Sequence, residues 1–237
     1  MTFSSAQTLN LPDTLESVTQ IVVVSSDGRT PAASGSAFFV AENRVVSAAH
    51  VYWGLGTAIN NQRGGSMLLQ KFSLAEPKAF RVGCKLIVTD DEHDLALFEV
   101  DVDSIKKQWP DFKIKPLMLS HEKPIPGDRV VFVGYFGYDQ FPMATSGMLA
   151  GFSRISLAVG GTADDLLLDR NANQGESGGP VLLERTGNVI GVLTVSVPAA
   201  GAFPAGFPAP PSGVSRATDA QYVVKLLGGS NGSPLPK

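Results

Sequence analysis

The sequence contains a single cysteine, Cys84, among its 237 residues, so no disulfide can form within the chain. The fold must therefore be held by packing alone. Cys84 lies in an apolar stretch, and we expect it to be an inert core thiol. A chain without disulfides suits a reducing compartment, which favours a cytoplasmic location, although a processed product of bacterial export would look the same.

Long apolar runs and a strong excess of either charge are also missing. No uninterrupted apolar stretch approaches the roughly 18 to 20 residues that a membrane-spanning helix needs, and residues 1–16 lack a basic segment followed by an apolar one. The 19 Lys and Arg residues against 22 Asp and Glu residues give a formal net charge of −3 without any basic cluster. We therefore expect neither a membrane nor nucleic acid as a partner, while the sequence leaves the oligomeric state open.

Residues that form turns are abundant, with 25 glycines and 16 prolines in a chain that is 43% apolar. Between them lie short β-branched and apolar runs that are typical of strands. The predicted strands cover residues 19–25, 35–40, 44–48, 80–89, 95–100, 128–135, 147–155, 165–169, 180–183 and 189–197. Turn residues between almost every pair indicate an all-β barrel or sandwich rather than a protein that alternates strands with helices.

Helical periodicity is scarce, and it predicts a single helix near the C-terminus. That helix covers residues 218–227, with Thr218 as its N-cap. Residues 198–212 are rich in Pro, Ala, Gly and Phe, and this composition predicts a surface loop.

The strongest chemical feature is a serine, Ser177, in the glycine-rich turn of residues 173–180, directly before an apolar run. Glycines in such a turn let the backbone direct two N–H groups at one point beside the hydroxyl, which is the arrangement of an oxyanion hole. A serine hydroxyl is a weak nucleophile unless a base takes its proton, and an acid must hold that base in one tautomer. A histidine and an acid are therefore expected elsewhere in the chain.

Three histidines are available, and one of them stands in a suitable place. His50 ends a predicted strand that runs into a turn, and Asp94 opens another apolar strand 44 residues later. His93 precedes Asp94 directly, and neighbours on a strand point to opposite faces, so we expect His93 at the surface or in a supporting position. His121 stands among charged residues and is expected to be exposed.

The competing acids are Asp90, Asp91 and Glu92, which precede the same strand. Charged residues in a turn of this kind are normally solvated, so Asp94 is the preferred partner of His50. The order along the chain is then histidine, aspartate, serine.

Four blocks, in order along the chain, resemble the trypsin-like serine proteases. They are GSAFFV at residues 35–40, SAAH at 47–50, DLAL at 94–97 and GESGGP at 175–180. The similarity covers about residues 18–228 and is strongest to the disulfide-free bacterial branch that includes the HtrA-type and glutamyl-endopeptidase-like enzymes.

This resemblance implies an all-β fold of two antiparallel six-stranded β-barrels of the chymotrypsin type, with a short C-terminal helix. The implied organisation is an N-terminal extension at 1–17, a first barrel at 18–120, a second barrel with the helix at 121–228, and a flexible tail at 229–237. The active site would lie in the crevice between the barrels.

The resemblance also implies roles for individual residues. Ser177 would be the nucleophile, His50 the general base and then acid, and Asp94 the group that orients His50. The backbone N–H groups of Gly175 and Ser177 would form the oxyanion hole. Such an enzyme needs no metal or organic cofactor, and its partner is a protein or peptide substrate.

The substrate pocket of the family takes its floor from about six residues before the nucleophile, which is Asn171 here. Its wall would come from Thr194, Val195 and Ser196. Neither place offers an acid, so we expect a preference for small or medium uncharged side chains at the P1 position. Glu176 departs from the family, since secreted trypsins have an aspartate there that receives the inserted N-terminus and HtrA-type enzymes usually have an asparagine. The sequence assigns Glu176 no partner.

Two other functions compete with this interpretation. Residues 175–179 also match G-x-S-x-G, the nucleophile elbow of α/β-hydrolases, but that fold needs its histidine after the serine, and the last histidine here is His121. The second alternative is a latent or inactive protease-like scaffold, which keeps the fold and needs a partner for activity.

Overall fold

The computed structural model describes residues 8–24, 31–53, 66–73, 75–76, 78–137, 139–156, 162–198 and 211–231. Within these ranges, twelve strands form two closed barrels of six strands each, and neighbouring strands pair antiparallel. The predicted fold class is therefore confirmed. The barrels also exclude the nucleophile elbow of α/β-hydrolases, because that motif belongs to a sheet wound with helices.

The first barrel has the strand order β1-β2-β3-β6-β5-β4, and the second has β10-β11-β12-β9-β8-β7. The strands of the first barrel are β1 Val18–Val24, β2 Pro31–Ala41, β3 Arg44–Ala48, β4 Ser66–Phe72, β5 Ala79–Asp90 and β6 Leu95–Val100. Those of the second are β7 Arg129–Tyr135, β8 Pro142–Ser156, β9 Thr162–Leu168, β10 Pro180–Leu183, β11 Val189–Pro198 and β12 Pro211–Asp219.

Neighbouring residues on one strand enter different cores, because side chains alternate between the two faces. On β2, Phe39 packs inside the first barrel, whereas Phe38 packs in a separate apolar cluster with residues of both barrels, among them Val133. On β6, Phe98 and Leu97 divide in the same way. Both faces of these strands are therefore buried, which explains why they read as continuous apolar runs.

Two strands were missed by the sequence analysis. β4 places Gln70 and Lys71 in buried positions, so its composition does not look like that of a strand. β12 begins at Pro211 and contains Gly213, which is typical of a turn rather than of a ladder. Its first residues fall in the predicted loop at 198–212, of which 199–210 lie outside the described residues.

The prediction of a single helix is wrong. Two further helices of seven residues each are α1 Leu11–Ser17 and α2 Val102–Gln108, and residues 49–53 are also helical. α1 and α2 are too short for a clear periodic pattern, but each begins with a cap, since the Asn10 side chain accepts from the Asp13 N–H and the Asp101 side chain accepts from the Ser104 N–H.

The C-terminal helix, α3 Ala220–Asn231, begins two residues later than predicted. Thr218 is not its N-cap, because Thr218 pairs with Asp165 in the sheet. The Asp219 side chain instead accepts a hydrogen bond from the Gln221 N–H at 2.9 Å. The helix includes 229–231, the start of the predicted tail, and the rest of that tail lies outside the described residues. No helix in the described ranges is long and apolar enough to cross a membrane.

A buried lysine anchors the N-terminal helix to the first barrel. Lys71 is 4% exposed, and its Nζ donates to the carbonyl oxygens of Leu15 at 2.7 Å and Val18 at 2.8 Å. These carbonyls lie at the C-terminal end of α1, where backbone oxygens lack helical partners. Burial lowers the pKa of Lys71 to about 7, an effect opposed by the nearby Glu16 carboxylate.

Candidate active site

His50 and Asp94 meet where two paired strands come together. β3 ends and β6 begins at the pair Ala48 and Leu95, so the residues just beyond these ends are neighbours. His50 Nδ1 lies 2.7 Å from Asp94 Oδ2, and the His50 backbone N–H donates to Asp94 Oδ1 at 2.7 Å. Asp94 adopts a left-handed backbone conformation with φ of 54°, and its carbonyl accepts from the Ala49 N–H.

This pairing favours one tautomer of the imidazole. When Nδ1 donates its hydrogen to the carboxylate of Asp94, Nε2 is left as an acceptor. The His50 side chain is 48% exposed, so Nε2 belongs to a ring that solvent and substrate can reach. The pair can therefore take a proton from a group that approaches Nε2.

Ser177 lies in a turn that requires glycine at two positions, 175 and 178. Gly175 has φ of 94° and Gly178 has φ of 86°, both in the left-handed region. A Cβ on Gly175 would lie 2.5 Å from the Gly137 nitrogen, and one on Gly178 would overlap the Ser36 carbonyl oxygen. The turn therefore presses against both barrels, which explains the glycine-rich sequence around the serine.

Two hydrogen bonds from Ser36 hold this turn against the first barrel, and a third joins Ser36 to β7. The Ser36 N–H donates to the Ser177 carbonyl at 2.8 Å, and the Ser36 hydroxyl donates to the Gly175 carbonyl at 2.7 Å. The same hydroxyl accepts from the Tyr135 N–H at 2.8 Å. Ser36 is fully buried on β2, so the first barrel fixes the position of a loop that the second barrel carries.

The Ser177 backbone also approaches the segment that follows His50. A Cβ on Gly35 would lie 3.3 Å from the Ser177 carbonyl oxygen and 2.6 Å from a methyl carbon of Val51. The structure thus brings the backbone of Ser177 close to the segment that follows His50, and His50 itself contacts Asp94.

The Ser177 hydroxyl itself donates to the Thr194 carbonyl at 2.9 Å. Within the described residues it has no hydrogen bond to His50, so the structure pairs His50 with Asp94 but not with Ser177. A rotation about one side-chain torsion would move the hydroxyl away from Thr194, and catalytic hydrogen bonds often form only in the substrate complex.

The predicted oxyanion donors have no hydrogen-bond partner in the part of the chain that the structure describes. The neighbouring N–H groups are bound: the Glu176 N–H donates to the Asn173 carbonyl, and the Gly178 N–H donates to the Leu193 carbonyl. The N–H groups of Gly175 and Ser177 can therefore donate to a ligand oxygen without breaking a bond described here.

Glu176 has a partner that the sequence analysis missed. Its Oε2 lies 2.5 Å from Arg170 Nη2 and accepts from the Asn173 N–H at 2.6 Å. The Glu176 side chain is 5% exposed, and a buried carboxylate needs a cation and hydrogen bonds. An acid inside a glycine-rich turn with an arginine six residues earlier was the available signal.

Three of the four predicted pocket residues lie on β11, and the fourth, Asn171, follows β9 and contacts β12. The Asn171 side-chain oxygen accepts from the Gly213 N–H at 2.9 Å, which ties the predicted floor to β12. Thr194 belongs to β11, and its hydroxyl donates to the Arg216 carbonyl at 3.2 Å. The backbones of Val195 and Ser196 pair with β12, while their side chains lie outside the described set.

The backbone around His93 differs from the strand that we expected. Residues 91–94 form a turn rather than a strand, so the argument from opposite faces does not apply. His93 Nδ1 lies 2.7 Å from Asp90 Oδ2, the side chain is 14% exposed, and its ring stacks on Tyr222 at 3.7 Å. Asp90 is therefore not merely solvated. His121 is exposed, as predicted.

The titratable groups of the described residues do not include a candidate metal site. The described residues contain no group of three or more His, Cys, Asp or Glu side chains that could hold a metal ion. Cys84 is half-buried against the core of the first barrel rather than inside it, and burial raises the pKa of its thiol to about 12, which favours the neutral form.

Comparisons with known proteins agree with this architecture. The periplasmic pH-dependent serine endoprotease DegQ of Escherichia coli (strain K12) is 31% identical over 179 residues, which is 72% of this chain but only 37% of DegQ. The chain thus matches little more than a third of that relative's length.

The crystal structure of Deg5 has a TM-score of 0.64 at 20% identity and covers 90% of this chain and 88% of its own. The active form of the Rv3671c protease from M. tuberculosis has a TM-score of 0.63 at 20% identity and covers 100% and 95%. At 20% identity, the similarity to these two structures establishes the fold and nothing about the function. The trypsin-like peptidase domain matches residues 35–192, and this chain therefore belongs to the trypsin-like peptidase family.

Proposed function

We propose that this protein is a serine endopeptidase that hydrolyses peptide bonds through an acyl-enzyme on Ser177. The observation that carries the proposal is the contact between His50 Nδ1 and Asp94 Oδ2 at 2.7 Å. It is accompanied by a serine in a turn whose Gly175 and Ser177 N–H groups have no partner among the described residues. A base held in one tautomer, a hydroxyl and an oxyanion site are the parts that acyl transfer requires.

The reaction begins when the Ser177 hydroxyl leaves the Thr194 carbonyl and turns to His50 Nε2. His50 takes the hydroxyl proton while the oxygen attacks the scissile carbonyl, and Asp94 stabilises the resulting imidazolium. The Gly175 and Ser177 N–H groups bind the tetrahedral oxyanion, each contributing about 3 to 4 kcal/mol to the transition state. His50 then protonates the leaving amine, and water repeats the sequence on the acyl-enzyme.

The substrate preference follows from the pocket. Asn171 presents an amide at the predicted floor, held by Gly213, and an amide offers no charge to a Lys or Arg side chain. Peptides with Ala, Val or Leu at P1 should therefore be cleaved faster than peptides with Lys, Arg, Asp or Glu. A panel of matched fluorogenic peptides measures this, and fastest cleavage after a charged residue would refute the proposed preference.

A second candidate is a latent or inactive protease-like scaffold. The hydrogen bond of Ser177 to the Thr194 carbonyl favours it, because a hydroxyl in that position has no base to activate it. This candidate has the same residues but needs a partner or substrate to turn the serine.

Active-site labelling separates the two candidates. A fluorophosphonate should label wild type on the peptide that contains Ser177, and it should label neither Ser177→Ala nor His50→Ala. Asp94→Asn should react about 10⁴-fold more slowly, because its amide favours the wrong tautomer of His50. Folded wild type that fails to label would establish the scaffold.

A further inference from the structure

We propose that Arg170 is a positioning residue that holds the oxyanion loop, residues 173–178, in its productive conformation. The inference rests on the proposed function, because it takes the Gly175 and Ser177 N–H groups as the oxyanion donors. The Arg170–Glu176 pair carries it. With side chains 13% and 5% exposed, this is the most buried ion pair among the described residues.

Arg170 is fixed by all three nitrogens of its guanidinium group. Nη2 contacts Glu176 at 2.5 Å, Nε donates to the Asn171 carbonyl at 2.7 Å, and Nη1 donates to the Thr145 hydroxyl. The guanidinium also lies over the Phe132 ring, 4.6 Å from its centre. Arginine presents its donors in a rigid planar fork, so one side chain joins the loop, the predicted pocket floor and the barrel wall.

Glu176 transmits this anchorage to the oxyanion donors. It stands between Gly175 and Ser177, so any movement of its Cα rotates the peptide planes on both sides. Its carboxylate also accepts from the Asn173 N–H at 2.6 Å and from the Asn173 side-chain amide at 3.1 Å, which closes the start of the loop. The buried Glu176 carboxylate thus holds the backbone of the loop from Asn173 to Ser177.

Removal of Arg170 would leave this carboxylate buried without a cation. Such a state is strongly disfavoured, so Glu176 would turn toward water or take up a proton. Either change loosens the Asn173 contacts and lets the peptides beside Glu176 rotate. Arg170 would act through the loop without touching the substrate.

Arg170 is also the partner of Glu176 that the sequence alone did not assign. In secreted trypsins an inserted chain terminus meets the acid beside the nucleophile. Here Arg170, six residues earlier in the chain, pairs with the acid instead. The order of the oxyanion loop therefore depends on an internal cation, the Arg170 guanidinium.

The test compares Arg170→Met and Arg170→Lys with wild type. Arg170→Met should label with a fluorophosphonate about 10²-fold more slowly or worse, the loss expected when an oxyanion donor is misplaced. Arg170→Lys keeps the charge but has one nitrogen in place of three, and its labelling rate should fall between the two. Arg154→Met is the matched control, because Arg154 pairs with Asp164 in the same barrel but is 69% exposed; it should label like wild type.

Hydrogen–deuterium exchange of the peptide covering 173–179 provides a readout that does not depend on activity. The N–H groups of Asn173, Glu176 and Gly178 are hydrogen-bonded in wild type and should exchange faster in Arg170→Met. Both measurements are made at a temperature below the unfolding transition of each variant. If the loss of labelling rate only follows the fraction of folded protein, the role of Arg170 is purely structural and the proposal is overturned.

The outcomes separate the two proposals. The positioning role would be refuted if folded Arg170→Met had the same labelling rate and the same loop exchange rates as wild type. If wild type itself does not label, the proposed function fails, and the exchange comparison still decides the role of Arg170. Faster exchange confined to the loop would support the role, and unchanged exchange would overturn it.

Discussion

The buried lysine of β4 should make the stability of the protein rise with pH. Lys71 has a pKa lowered from 10.5 to about 7, chiefly by burial, while an unfolded chain returns it to the ordinary value. The folded protein therefore loses this proton first as pH rises. Between pH 7 and pH 10.5 the unfolded state binds more protons, and stability increases with pH wherever that holds.

The magnitude follows from the two pKa values. Each unit of pKa difference is worth about 1.4 kcal/mol, so the fall from 10.5 to about 7 corresponds to a charge penalty of about 5 kcal/mol, present in full below pH 7. At pH 7 the folded lysine is half protonated, and by pH 9 it is almost entirely neutral. The expected gain in the free energy of unfolding from pH 7 to pH 9 is about 2 kcal/mol.

Urea denaturation of wild type and Lys71→Met at both pH values measures this gain. Lys71→Met cannot titrate, so the difference between the two proteins removes the contribution of every other group. The absolute stability of the variant is less informative, because it also loses the hydrogen bonds to the carbonyls of Leu15 and Val18. Exposed Lys113→Met should keep the pH slope of wild type. Equal slopes for wild type and Lys71→Met would refute the reasoning.

Gly178→Ala should destabilise the protein by more than about 2 kcal/mol, because φ is 86° and the new Cβ would overlap the Ser36 carbonyl and the Ser47 hydroxyl. Gly83→Ala is the control in thermal unfolding, since nothing lies within 4 Å of a Cβ there, and equal losses for both variants would contradict this packing argument. Cys84 should resist iodoacetamide at pH 8 in the folded protein and react in urea, because burial raises its pKa to about 12; rapid alkylation without urea would count against its burial.

The sequence predicted those parts of the fold and site in which composition and position agree. Runs such as 44–48 and 95–100 are apolar and β-branched, and the structure has strands with the same bounds. His50 and Asp94 were chosen from their places at strand ends, and the structure brings them into contact because those strands pair. The assignment of the catalytic roles stays a prediction that labelling will decide.

The missed features depend on contacts that composition does not reveal. β4 was not recognised because Lys71 looks like a surface residue until α1 supplies carbonyls for it to bind. Thr218 was mistaken for a cap because its pairing with Asp165 is made by a distant part of the chain. The Arg170–Glu176 pair is local in sequence, but its importance lies in a burial that only tertiary structure shows.

Ser36 has a consequence for any attempt to recombine this protein with its relatives. One buried hydroxyl of the first barrel bonds both the Tyr135 N–H and the Gly175 carbonyl of the second, while the Ser36 N–H holds the carbonyl of Ser177. The two barrels are thus not interchangeable modules, although each closes its own sheet. A chimaera that exchanges the second barrel inherits the nucleophile but leaves its support behind, so Ser36 and the glycine turn that it holds must be transplanted together.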